Sequence, residues 1–247
     1  METTVATIAK SSLKKKLLFA LIAVAAAATL VAASIAGTVA YLTASSAVSN
    51  TFTIGNVTMS MFESPVNSEG QIPADYQLVN GKKTSDGNSY HLLNGTTYDK
   101  DPTIYVEANS DKSFLFVKIR NQIVDIEETE NPDCPTIAQQ MAANGWVVLG
   151  NTPSGIVYVY HGVTDGVVNE NPTSVGGSGT MEVYDVFSTF TVKTHCDISL
   201  YGGAKVTLTA FAIQKSGFEA TTDGAKLAWA QIVAAYPYED GALQSNP

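Results

Sequence analysis

The chain has 247 residues, and 45% of them are hydrophobic, so it can bury a substantial core and is not expected to be disordered as a whole. Its formal net charge is −9. Residues 1–40 hold 4 of the 14 basic and 1 of the 23 acidic residues, which leaves 10 bases and 22 acids in residues 41–247. Such an acidic surface repels phosphate backbones, so nucleic acid is not expected as a partner.

The N-terminal forty residues have the pattern of an export signal. Lysines at positions 14–16 precede an uncharged run over residues 17–40, as in the basic and apolar regions of a signal peptide. Thr38 and Ala40 supply the small side chains that a signal peptidase requires before its cleavage site. The sequence therefore predicts a signal peptide over residues 1–40 and a mature chain that begins at Tyr41.

The same run is long enough for a retained membrane anchor. As a helix its 24 residues would span about 36 Å, against a bilayer core of roughly 30 Å. Ten of these residues are alanine, which inserts weakly, and a cleavage site follows directly, so cleavage is favoured. No second apolar run of spanning length follows, and no lipid-anchor tail is evident. Membrane contact is expected only through the N-terminal segment.

Apolar and polar residues alternate along much of the remaining chain, which is typical of strands with one buried face. Phe52 and Ile54 lie in the opposite phase to Val57, so Gly55-Asn56 is predicted to form a bulge between them. Ile156–Tyr160 is apolar on both faces, which predicts an inner strand. The other runs with strand character are Val57–Met61, Ile104–Ala108, Phe114–Arg120, Tyr184–Val192 and Val206–Ile213.

Turn-forming stretches separate these runs, so the pattern predicts a mostly β fold, a jelly-roll-like antiparallel β-sandwich. Two short peripheral helices are expected. One spans Pro135–Ala143, with Gly145 after its end. The other is a C-terminal helix over about residues 223–236, capped by Asp223 and docked on the sandwich. A single secreted domain over residues 41–247 is the simplest organisation.

The chain has two cysteines, Cys134 and Cys196, without the CxxC spacing of a structural zinc site. In an oxidising compartment they could form a disulfide, which the chain-entropy model values at roughly 4 kcal/mol. Two separate buried thiols are the alternative, because a sequence does not show whether the two Cα atoms lie close enough.

No motif predicts a catalytic, metal or cofactor site. A zinc peptidase usually carries His-Glu-x-x-His on a helix, whereas His91, His161 and His195 are far apart and none precedes a glutamate. The Gly-x-Ser-x-Gly elbow of a serine hydrolase is also missing. These histidines are better explained as surface or core residues.

Two further clusters have a functional and a simpler explanation. An acidic stretch over residues 125–133 could hold calcium, but its spacing matches no EF-hand loop, so a solvated connection is favoured. Tyr158 and Tyr160 could form a glycan-binding platform, although packing of an inner strand explains them as well. The acidic residues are Asp125, Glu127, Glu128, Glu130 and Asp133.

Three groups of segments, in order, resemble parts of the TasA/camelysin family. Because they lie at both ends and in the middle of the chain, the resemblance is expected to extend over nearly all of it. The first resembles the start of the family, the second its short turn before a strand, and the third its closing strand and C-terminal helix. These segments are Gly37–Thr43 with Asn50–Val57, His91–Gly95 with Tyr98–Ile104, and Thr209–Gln214 with Gly217-Phe218 and the helix of Trp229.

This resemblance implies a jelly-roll domain outside a bacterial cell, with an export signal that is cut by the dedicated signal peptidase SipW. TasA-like members form fibres of the biofilm matrix, in which the segment released by signal cleavage adds a strand to a neighbouring subunit. Camelysin-like members have been described as surface metallopeptidases.

The leading hypothesis is a non-enzymatic structural protein of the extracellular matrix or cell surface, a fibre subunit that self-associates and needs no cofactor. The candidate donor strand is the uncharged segment 41–54, which is equally suited to be the first strand of its own domain. A camelysin-like surface metallopeptidase and a glycan-binding surface module are the alternatives. The apolar anchors of the donor strand would be Tyr41, Leu42, Val48, Phe52 and Ile54.

Overall fold

The structure is a computed structural model that describes residues 43–45, 47–236 and 243, with the backbone alone described for residues 43–50. The described residues are mostly β, as predicted, with two α-helices, α1 (Ile137–Ala143) and α2 (Thr222–Ala235). In chain order the strands are β1 (Thr43–Ser45), β2 (Ala47–Ile54), β3 (Met59–Phe62), β4 (Ser89–His91), β5 (Thr97–Asp99), β6 (Thr103–Val106), β7 (Ser113–Asn121), β8 (Trp146–Thr152), β9 (Gly155–Tyr160), β10 (Val163–Thr164), β11 (Val167–Val168), β12 (Glu182–Asp185), β13 (Thr189–Thr191) and β14 (Val206–Gln214).

The largest sheet has five strands in the order β2-β14-β7-β9-β8. β9 lies between β7 and β8, so the inner strand predicted at Ile156–Tyr160 is confirmed. Every pair in this sheet is antiparallel except β2 with β14, which run parallel. The expectation of a purely antiparallel arrangement fails at this pair, because strands separated by most of the chain are free to align in one direction.

The other sheets are small. β12, β6 and β3 form a three-stranded antiparallel sheet with β6 in the middle. β13 pairs with β5, β1 with β4, and β10 with β11, each pair antiparallel.

One face of the five-stranded sheet shares an apolar core with the three-stranded sheet and with strands β4, β5 and β13. The alternating residues of β3 and β7 point into it: Met59 and Met61 from one strand, Leu115 and Val117 from the other, all buried. A tight aromatic group of Tyr90, Tyr98 and Phe190 completes this core, with ring centroids 5.0–5.7 Å apart.

The opposite face of the five-stranded sheet is covered by α2. Phe116 and Phe211 present their rings to Trp229, at centroid distances of 5.5 and 4.9 Å. Ala225, Ala228 and Ile232 of the helix are buried in the same cluster. The predicted docking of a C-terminal helix on the sheet is confirmed.

Both helices begin at residues other than those expected. α1 starts at Ile137, because Thr136 and Gln139 form a reciprocal capping box, with bonds of 3.2 and 2.8 Å. Thr221, rather than Asp223, caps α2: its hydroxyl accepts a hydrogen bond from the Gly224 amide at 3.1 Å. None of the helices that the structure describes is long and apolar enough to cross a membrane.

The predicted run Tyr184–Val192 is not one strand. β12 ends at Asp185 in the three-stranded sheet, and β13 begins at Thr189 beside β5. Between them Val186 and Phe187 are fully buried. Because the buried apolar residues of this run lie in the connection as well as in β13, the run looks continuous in the sequence even where the chain passes from one sheet to another.

Candidate assembly site

The candidate donor segment forms the edge of the five-stranded sheet. β2 lies against β14, with paired positions running from Ala47 opposite Thr207 to Ile54 opposite Ile213 and one irregularity between Leu208 and Ala210. Its other edge pairs with no described strand. In a single chain, β2 is therefore an edge strand of its own domain. This is the simpler of the two explanations for the segment, the other being a strand donated to a second copy.

Side chains at the end of β2 hold it against the sheet. The half-buried ring of Phe52 stacks on Phe211 at 5.3 Å and packs against Tyr236 at 4.6 Å. The Tyr236 hydroxyl donates a hydrogen bond to the Thr53 carbonyl oxygen at 2.9 Å. Ile54 packs against the same apolar cluster. β2 is thus held by its backbone pairing with β14 and by the side chain of Tyr236, which follows α2.

The chain turns sharply where it leaves β2. Gly55 has a φ of +96°, and a Cβ atom at this position would lie 2.7 Å from Cβ of Gln214. After this turn the chain enters the three-stranded sheet as β3. Gly55-Asn56 therefore joins two sheets, and the prediction of a bulge within one strand is wrong.

The remaining predicted residues of this site are only partly described. The backbone of Val48 lies opposite Leu208 in the ladder. Tyr41 and Leu42, together with the signal peptide and its cleavage residues Thr38 and Ala40, lie outside the described residues.

The edge at β2 carries few of the features that keep a sheet edge from pairing with another chain. Natural edge strands usually contain charged residues or proline. The sequence Ala47–Ile54 contains neither. Its affinity for β14 thus rests on backbone hydrogen bonds and apolar side chains, which any copy of the same segment can provide.

The acidic stretch is not uniformly solvated. Glu127 is buried, and its carboxylate accepts hydrogen bonds from the Ile137 amide at 2.9 Å and from Asn121 Nδ2 at 2.7 Å. Burial raises the pKa of Glu127, and these hydrogen bonds oppose the rise. This side chain lines a mostly apolar cavity of about 300 Å³ between the five-stranded sheet and α1, together with Met141 and Tyr158.

The candidate chemical groups remain dispersed. His91 and His195 are exposed, whereas His161 is buried with Nδ1 2.8 Å from the Asn169 carbonyl oxygen. Among the residues that the structure describes, no three His, Cys, Asp or Glu side chains are grouped to hold a metal ion.

Cys134 and Cys196 are both free thiols. The Cys134 sulfur lies 3.4 Å from Asn131 Nδ2, and the Cys196 sulfur lies 3.5 Å from Asn94 Oδ1. The structure thus contains two separate thiols, each with its own neighbours.

The two tyrosines of β9 are packed rather than displayed. Tyr158 is buried, and Tyr160 contacts the rings of Trp146 and Tyr184 at centroid distances of 5.2 and 4.9 Å. Packing within the fold, rather than an exposed platform, accounts for them.

No protein-family model, curated protein or solved structure matches the chain.

Proposed function

We propose that the chain is a non-enzymatic, extracellular structural protein: a TasA-like subunit of a biofilm-matrix or cell-surface fibre, built on a jelly-roll-like domain. In this proposal a SipW-like signal peptidase cleaves the signal peptide after Ala40 during export and so frees the N-terminal segment that begins at Tyr41. That segment then joins the sheet of a neighbouring copy. The single observation that carries the proposal is the place of β2, an uncharged N-terminal strand at the sheet edge beside β14.

Exchange between copies requires no new kind of contact. A β2 strand from a second copy can make the same ladder with β14 and place Phe52 between Phe211 and Tyr236. An added strand of this type gains affinity from main-chain hydrogen bonds and specificity from alternate side chains. The turn at Gly55 lies between the strand and the rest of the domain, where a change of chain direction would redirect β2 to a neighbour.

The energetics favour slow, concentration-dependent assembly. Each ladder hydrogen bond contributes only about 0.5–1.5 kcal/mol net, and the closed single chain already makes the same bonds. Exchange therefore gains free energy only from contacts that form between neighbouring domains. It also requires β2 to leave its own sheet first, which slows assembly.

Paired cysteines across the ladder test the proposal. Thr53 and Ala212 are partners on β2 and β14. In a chain that begins at Tyr41 and carries Cys134→Ser and Cys196→Ser, the double substitution Thr53→Cys and Ala212→Cys should allow a disulfide. Oxidation of dilute monomer should lock β2 in place and stop fibre growth. Oxidation after assembly should instead give covalent multimers on a non-reducing gel.

A matched pair within one domain serves as the control. Thr207 and Arg120 are partners on β14 and β7, which the proposal leaves in the same chain. Thr207→Cys with Arg120→Cys should give single-chain bands before and after assembly. The proposal is overturned if fibres of the Thr53→Cys, Ala212→Cys chain yield only single-chain bands. It is equally overturned if electron microscopy of the concentrated mature protein finds no polymer.

A further inference from the structure

A fully buried ion pair lies away from the assembly site. Lys100 Nζ is 2.7 Å from Glu63 Oε2, and neither side chain is exposed to solvent. Glu63 directly follows β3, and Lys100 directly follows β5. The pair thus joins the ends of two strands that belong to different sheets.

The backbone fixes both partners. Glu63 exchanges two hydrogen bonds with Ser85, of 2.8 and 2.9 Å, and the Lys100 amide donates to the Ser188 carbonyl oxygen at 2.9 Å. The buried ring of Phe187 lies 5.9 Å from Lys100 Nζ. The two reactive groups are therefore held together in a site that excludes water.

The pair is incompletely satisfied as a salt bridge. Glu63 Oε1 is buried and has no hydrogen-bond partner among the described residues. A buried carboxylate normally accepts hydrogen bonds at both of its oxygens. Without them, the free-energy cost of removing the charges from water can exceed the attraction between the two ions. An amide in its place would contain one oxygen fewer and no charge.

The environment also favours the uncharged forms. Burial lowers the pKa of Lys100 and raises the pKa of Glu63, while the attraction between the two charges opposes both shifts. Asp101 is the next acidic neighbour, but its carboxylate is bound by Ser64 and by Lys83 Nζ at 2.8 Å. Proton transfer across the pair converts ammonium and carboxylate into the amine and the carboxylic acid.

We propose that Lys100 and Glu63 condense in the folded chain to an intramolecular isopeptide bond. The Nζ lone pair attacks the carboxyl carbon of Glu63, a C–N bond forms, and a C–O bond breaks. The departing oxygen takes one proton from the acid and one from the amine and leaves as water, with no oxidant or reductant. The carboxyl carbon lies one bond beyond Oε2, so little movement brings it to a reactive separation of about 3–3.5 Å.

Such a bond would tie the three-stranded sheet to the β13-β5 pair. It would close the chain between residues 63 and 100, a covalent cross-link in a structure whose two cysteines are free. Cross-links of this kind stabilise a fold by restricting the unfolded chain. The inference rests on the buried pair alone and does not depend on strand exchange.

Intact mass spectrometry of the purified, folded and then denatured full chain tests the proposal. We expect a mass lower than that of the unmodified chain by one water molecule, and a branched proteolytic fragment that joins residues 63 and 100. Lys100→Met and Glu63→Leu should each restore the full mass. Lys83→Met, which removes a nearby partly buried lysine from its pair with Asp101, should retain the loss.

Two results would overturn the proposal. One is an unmodified wild-type mass after prolonged incubation of the folded protein at neutral pH. The other is a loss of water whose fragments place the branch at a pair other than residues 63 and 100. Both are measured on the wild-type chain, so they stand even if the Lys100 and Glu63 variants fail to fold.

Discussion

At the scale of single residues, Glu127 links three parts of the structure. It follows the short 3-10 helix Val124–Ile126, accepts a hydrogen bond from Asn121 at the end of β7, and accepts another from the first residue of α1. A buried carboxylate with both oxygens bonded in this way fixes the loop before α1 and the position of the helix.

Replacement of this carboxylate should destabilise the fold. Glu127→Ala leaves the Ile137 amide and the Asn121 side chain without their acceptor, and a buried donor without a partner costs about 1–3 kcal/mol. We expect the free energy of unfolding to fall by about 2–3 kcal/mol in urea titrations. Glu130→Ala changes an exposed glutamate of the same stretch and should stay within about 0.5 kcal/mol of wild type. If Glu127→Ala and Glu130→Ala lowered the free energy of unfolding equally, Glu127 would not have this role in fixing the loop and the helix.

The effect of Glu127→Ala should also depend on pH. Burial raises the pKa of Glu127 in the folded chain above its unfolded value, so the folded state favours the protonated form. The stability that this group contributes is therefore fully present below the ordinary pKa of glutamate and declines as the pH rises through the folded pKa. The difference in the free energy of unfolding between wild type and Glu127→Ala should therefore become smaller as the pH rises, which urea titrations at a series of pH values measure.

At the scale of secondary structure, α2 packs on the five-stranded sheet through one large aromatic side chain. Trp229 is almost completely buried between the helix and the rings of Phe116 and Phe211. We expect Trp229→Ala to lower the free energy of unfolding by about 3–5 kcal/mol, since it removes a large buried side chain and leaves a cavity. Chemical denaturation followed by far-UV circular dichroism measures the change.

Leu227 offers the control on the same helix, because its side chain is 65% exposed. Leu227→Ala should shift the free energy of unfolding by no more than about 0.5 kcal/mol. A large effect at Leu227 with a small one at Trp229 would mean that α2 packs through its other face.

The sequence predicts the long strands better than the short ones. β7 and β14 have nine residues each, and their long runs of aromatic, β-branched and other apolar residues identify both as strands. Phe114 and Phe116 fall on the face toward α2, and Leu115 and Val117 on the other. Three-residue strands such as β4 and β5 are too short for any period, and only pairing with distant partners defines them.

The candidate assembly site also contains some residues that the sequence predicts and others that it does not. Phe52 and Ile54 are predictable as apolar anchors, because they are apolar residues in phase within an uncharged segment. Their partners are not predictable, since β14 and Tyr236 are distant in the chain and no local pattern selects a parallel pairing. Burial of Glu127 within an acidic stretch is likewise decided by the fold rather than by its neighbours.

At the scale of the whole molecule, Phe52 allows the stability of one chain to be compared with the proposed assembly of many chains. Phe52→Asp places a charge between Phe211 and Tyr236, and we expect it to weaken both the attachment of β2 and the formation of fibres. Sedimentation measures assembly, and circular dichroism on the same samples measures whether the domain remains folded.

Leu200→Asp likewise replaces an apolar side chain by a charged one, at a residue of the short 3-10 helix Ile198–Tyr201 that is 78% exposed. It should assemble as wild type does. Fibres of Phe52→Asp that form at the wild-type rate would contradict the role of this ring. Loss of the folded signal in Phe52→Asp would assign the residue to the stability of the single chain.

In the proposed fibre, the parallel alignment of β2 with β14 would determine the polarity of the polymer. Each chain has one such strand and one such edge, so exchange between copies would join two different surfaces. Contacts of this kind form an open filament unless the rotation between neighbouring subunits closes them into a ring. A linear polymer would then have two different ends: one with an unoccupied β14 edge, the other with an unplaced β2. Growth at the two ends would differ in rate, and a peptide with the sequence of residues 41–54 would cap only the end where β14 is vacant.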